Sequence, residues 1–186
     1  IRPFHGYTAT RYFLLASYER RYYDSDQRDG SAIKLQLGLS KRVTDTVTLY
    51  AGFIKEEIDA AESIGVFDAD NNRFYLNADF RLGQKNTLYT ALSYTDGDIV
   101  STTVPNTNII NASSPFIVRD DAFLDLTPPR FAYKLSAKTT ALTIGDTYSI
   151  RSNQAIDASL FYYKSEAVYD IDYTGLIAIL NYIYRF

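Results

Sequence analysis

Alternation with a period of two runs through almost the whole chain, and it leaves few folds open. In SAIKLQLGLS (31–40), Ile33, Leu35, Leu37 and Leu39 share one face, while Lys34, Gln36, Gly38 and Ser40 share the other. RFYLNADFRL (73–82) repeats the pattern, with Phe74, Leu76, Ala78, Phe80 and Leu82 opposite Arg73, Tyr75, Asn77, Asp79 and Arg81. On a helix these leucines would spread around the circumference; on a strand they form one apolar face. The chain is therefore expected to be all-β.

Followed along the sequence, the alternation predicts eight strands, at about 7–23, 31–41, 47–58, 73–83, 87–98, 131–149, 155–166 and 172–186. The segments between them alternate in character. KRVTDT (41–46), GQKN (83–86) and RSNQ (151–154) are short and polar, as tight turns are. The segments 59–72 and 99–130 are long and rich in Asp, Asn, Ser, Thr and Pro, and DSDQRDG (24–30) and VYDID (168–172) are short but acidic. Short turns at one end and long loops at the other describe an up-and-down meander of the outer-membrane type. A strand of ~10 residues tilted by ~45° covers ~24 Å, close to the ~25 Å apolar band of such a membrane. The expectation is a single transmembrane antiparallel β-barrel over 1–186, with periplasmic turns, extracellular loops and a periplasmic tail at 1–6.

Composition narrows the alternatives. No stretch approaches the ~18 consecutive apolar residues of a spanning helix. With 17 Tyr, 11 Phe and no Trp, the aromatic share favours a boundary that is dry on one side and wet on the other. A net charge of -3 offers no signature for binding nucleic acid. The absence of cysteine removes disulfides, thiolate metal sites and a thiol nucleophile. The opening IRPFHG, without Met, reads as a processed chain.

A soluble barrel of lipocalin type would alternate in the same way, turned inside out. Two features favour the membrane version. The faces opposite the leucines mix charges with Tyr50, Ile54, Tyr75, Tyr89, Ala91, Phe161, Ile177, Ile179 and Ile183 and with glycines at 38, 52 and 175, which makes a poor solvent face. The leucine faces end in rings, Tyr12, Tyr18, Phe53, Phe74, Phe80, Tyr94, Tyr133 and Tyr162 among them, as interfacial girdles do.

The last strand, LIAILNYIYRF, carries apolar or aromatic residues at Leu176, Ala178, Leu180, Tyr182, Tyr184 and Phe186. It resembles the C-terminal strand of bacterial outer-membrane proteins, with the rest of the chain similar to the small OmpA, OmpX and OmpW types in strand number and loop asymmetry. The resemblance implies location in the bacterial outer membrane and contact with its lipid and lipopolysaccharide. It also implies reading of Leu176, Leu180, Tyr182, Tyr184 and Phe186 by the barrel-assembly machinery.

Strand parity places Arg11, Glu19, Lys34, Asp79, Arg81, Lys134, Lys138, Asp157 and Arg185 in the interior, as a salt-bridge network or as the lining of a narrow path. In either role Asp79 and Asp157 are expected beside Arg or Lys, because buried charge is costly unless paired. The loop at 99–130 carries Phe116, Ile117, Val118, Phe123, Leu124 and Leu126, enough apolar surface to pack as a lid or against a partner.

Catalysis and metal binding find little support. The single histidine, His5, precedes the first strand, a membrane thickness from Ser93, Ser101 and Ser165, so no nucleophile–base pair is expected. Asp68, Asp70 and Asn72 begin like a calcium loop, but Arg73 stands where glycine belongs and no Glu follows at the twelfth position. No enzyme activity, cofactor or metal is expected. Two functions remain: a structural barrel that meets a protein partner through its loops, and a channel for small anionic or amphiphilic solutes, formed by this chain alone or as part of a larger barrel.

Overall fold

A computed structural model describes residues 10–24, 26–61, 64–104, 106–123 and 125–185. The strands are β1 (Thr10–Arg21), β2 (Gly30–Arg42), β3 (Val47–Ala60), β4 (Ala69–Leu82), β5 (Asn86–Thr103), β6 (Ile117–Arg119), β7 (Phe131–Arg151), β8 (Gln154–Ala167) and β9 (Asp172–Tyr184). All eight predicted strands are present. The ninth, β6, is three residues long and lies inside the long loop, after a short helix α1 (Thr107–Ser113).

The strands form one antiparallel sheet in the order β1-β2-β3-β4-β5-β7-β8-β9, with β6 added beside the upper part of β7. Three connections are tight turns, 43–46, 83–85 and 152–153, and all lie at one end. The register steps steadily in one sense. The row of paired residues Phe13, Gly38, Gly52, Tyr75, Ser93, Ala141, Tyr163 and Gly175 starts three residues from the turn-side end of β1 and finishes nine residues from that of β9. At ~3.3 Å per residue and ~4.8 Å between strands, this stagger corresponds to a tilt of ~30°, near the range of barrel walls.

Closure is where structure and sequence part. Among the described residues β1 does not pair with β9, so the sheet is an open arc and not the expected closed eight-stranded barrel. Both edge strands are uncovered on both faces: Leu14 and Leu15 of β1, and Leu180 and Ile179 of β9, are all exposed. The chain presents 12488 Å² to its surroundings, against ~9,000 Å² for a compact protein of its mass. Period-two patterning specifies strands and faces, but says nothing about how the last strand meets the first.

Candidate functional site

The register sorts the side chains into two faces. On the outward face, Tyr12, Leu14 and Tyr18 of β1 continue into Leu39, Leu37 and Ile33 of β2, then Phe53 of β3, Phe74 and Leu76 of β4, and Leu92 and Tyr94 of β5. Leu142 of β7, Tyr162 and Leu160 of β8 and Leu176 of β9 complete it. Along β2 this face is exposed at every second residue, Ile33 to Leu39, while the alternate residues are half-buried. The proposed assembly residues Leu176, Leu180, Tyr182 and Tyr184 all lie on the outward face, and Phe186 lies outside the described residues.

The inner face carries Arg11, Glu19, Lys34, Asp79, Arg81 and Asp157, as parity predicts, and Arg185 follows the inward parity of β9. It also carries Arg21, Glu56 and Arg73, which the sequence reading left out. Arg21 bridges Glu19 at 3.0 Å and Glu56 at 3.6 Å. Lys134 and Lys138 are corrections. They pair with Val100 and Asp96 on the outward face, and the Lys134 ammonium sits 4.3 Å over the Phe116 ring. Tyr133 is the converse: assigned to an outer girdle, it lies inside, buried, with its hydroxyl 2.9 Å from that of Tyr173.

Of the inner carboxylates, Asp157 is held by hydroxyl groups rather than by the expected Arg or Lys: it accepts hydrogen bonds from Tyr89 at 3.1 Å and Thr147 at 2.7 Å. Asp79 shares a recess with Tyr50 and Arg81. Hydroxyl donors satisfy a carboxylate without placing a second charge in the interior. Inner-face tyrosines explain three inner glycines. A Cβ on Gly52 would lie 2.4 Å from the Tyr75 hydroxyl, one on Gly145 2.4 Å from the Tyr89 ring, and one on Gly175 2.2 Å from the Tyr163 ring. Each ring approaches its glycine too closely to admit a side chain there, and Tyr75 also receives a hydrogen bond from Gln36 at 3.1 Å.

At the loop end the chain builds a cap. Val66 and Phe67 from the β3–β4 connection pack with Ala132 of β7, flanked by Ala60, Val100 and Val118. Asp120, fully buried, accepts from Arg28 at 2.5 Å, from Thr102 at 2.6 Å and from the Ala122 amide at 3.2 Å. The Arg28 guanidinium also stacks 4.9 Å over the Phe67 ring. Gln27 donates to the Arg119 carbonyl and accepts from the Asp121 amide. The segment that follows β5 thus reaches the connection between β1 and β2, a chord drawn past β3 and β4. Of the apolar loop residues singled out in the sequence, Ile117 pairs with Tyr133 within β6 and Phe116 underlies Lys134, whereas Phe123 and Leu126 are exposed and Leu124 lies outside the described residues. Asp68 accepts from the Ala60 amide at 2.8 Å and Asp70 bridges Lys55, so these two acids serve the strand ends. His5 falls outside the described residues.

No family model, curated protein or solved structure matches this chain.

Proposed function

We propose that the chain forms part or all of the wall of a bacterial outer-membrane β-barrel, with lipid on the leucine face and a hydrated, charge-lined lumen on the other. The carrying observation is the contrast between the two faces of a single sheet: one continuous and apolar, the other carrying charges, with tyrosines packed against glycines. Lipid satisfies the first face. The tight turns then lie on the periplasmic side and the cap outside, as in the architecture that the C-terminal strand resembles.

Of the two functions, passage of small solutes is favoured over a packed structural plug. The inner charges Lys34, Arg73 and Arg81 retain solvent access, and cations outnumber carboxylates on that face, which suits anionic solutes. The open edges favour a wider lumen, because an eight-stranded barrel closed on itself has room only for its own side chains. The cap would then restrict entry from outside.

Single nitroxide labels at 33–40, introduced as cysteines into a chain with none of its own, test both claims after refolding into vesicles. Labels at 33, 35, 37 and 39 are expected to be relaxed by oxygen dissolved in lipid, and those at 34, 36, 38 and 40 by a water-soluble nickel complex. Inner labels reached by neither reagent would replace the lumen with a packed plug. Loss of the alternation would remove the membrane reading altogether.

A further inference from the structure

Asp146 lies on the outward face of β7, opposite Leu88 on β5 and Ala158 on β8, where the surrounding side chains are apolar. Its Oδ1 atom is buried and has no hydrogen-bond partner. A carboxylate oxygen withdrawn from water and left unpaired is costly, so the site is incomplete as it stands. Lys85, in the turn before β5, has its Nζ 6.0 Å over the Tyr148 ring.

Next to Asp146 runs an open groove of about 480 Å³ lined by Leu88, Ile144, Ala158, Leu160, Ala178 and Leu180. Its form follows from the register. Ala158 pairs with Leu180 and Leu160 with Ala178, so the two alanines are diagonal neighbours and a trough passes between the two leucines. The trough starts beside Asp146, toward the turn end, and rises obliquely across β8 to the mid-length of the edge strand β9. A single acid at the foot of an apolar trough matches a cationic head with a hydrocarbon tail.

We propose that Asp146 and this trough hold a phospholipid with an ammonium headgroup, the ammonium on the part of the Asp146 carboxylate that faces the trough and one acyl chain along Ala158 and Ala178. The proposal rests on the membrane reading above and deepens it by assigning a specific lipid to the leaflet on the turn side. An ammonium donor gives the carboxylate a charge-assisted partner that no side chain of the trough supplies, and the alanines provide the depth an acyl chain needs.

The test uses the full chain refolded into vesicles containing equal amounts of phosphatidylethanolamine and phosphatidylglycerol, then released in mild detergent and weighed intact with its retained lipid. Retention of the ethanolamine lipid is expected to exceed that of the glycerol lipid roughly tenfold. Asp146→Asn should bring the two to parity, and so should Ala158→Leu, which fills the trough while keeping the carboxylate. Equal retention by the unmodified chain, or a preference that survives both substitutions, overturns the site while leaving the barrel reading intact. A chain that folds but enters no vesicle removes the membrane reading, and the site with it.

Discussion

The wall and the cap are built on different terms. The cap is assembled like a small soluble protein: Val66, Phe67 and Ala132 are buried against one another, and the buried Asp120 has three donors. Among the described residues the wall encloses no comparable cluster, its side chains alternate largely between exposed and half-buried, and its edge strands have no partners. The cap thus carries its stabilising contacts within the chain, whereas the wall requires an environment for each face and strands for both edges. In a membrane that requirement is strict, because an unpaired backbone group in hydrocarbon costs several kcal/mol.

Substitutions can break this contrast in graded ways. The largest effect is expected on the outward face at mid-height: Leu37→Arg should destabilise the inserted protein by ~2–4 kcal/mol in urea unfolding from vesicles, while Gln36→Arg next to it should cost well under half of that. Equal effects at the two positions would mean that the faces do not differ in environment. In the cap, Asp120→Ala leaves Arg28 and Thr102 without their acceptor and should cost ~1–3 kcal/mol. It should open the 104–130 connection to protease without changing the β signal of the wall. Loss of both together would show that the chord holds the arc as well as the loops.

Smaller effects probe the inner face. Gly52→Val drives a side chain into the Tyr75 ring and the Leu37 carbonyl, and should lower the unfolding midpoint by the equivalent of ~1–3 kcal/mol. Tyr89→Phe keeps the ring over Gly145 but removes a donor to Asp157, for ~1 kcal/mol in the same measurement. The smallest change is a gain: Tyr169 holds φ = 58° in the turn between β8 and β9, and Tyr169→Gly should stabilise the hairpin by ~0.5–1 kcal/mol.

The fate of β7 explains how far the sequence could be followed. Its first residues, Phe131, Tyr133, Leu135 and Ala137, alternate with Lys134, Ser136 and Lys138 as cleanly as any stretch of β2. Taking apolar as outward put the lysines inside. In the structure Tyr133, Leu135 and Ala137 are inward and buried, at the end where α1 lies against β7. Hydrophobicity identifies the dry side of a strand, but it cannot distinguish dryness due to lipid from dryness due to protein. Where the cap supplies the burial, the inference inverts. Arg21 and Glu56 escaped for a different reason, since their pairing depends on neighbours across the sheet.

Sequence alone determined the eight strands, their turns and the two faces of most of the wall, because side-chain alternation is a local property of extended backbone. It also singled out the loop that carries Val118 and Asp120, from its length and apolar content. Tertiary structure alone decided that Asp157 would be held by tyrosine and threonine, that Arg28 would meet Asp120 from the far side of β2 to β5, and that the sheet would remain an open arc. Each of those depends on which residues lie opposite one another across strands or loops distant in sequence, and on the curvature that brings them together, neither of which a period of two encodes.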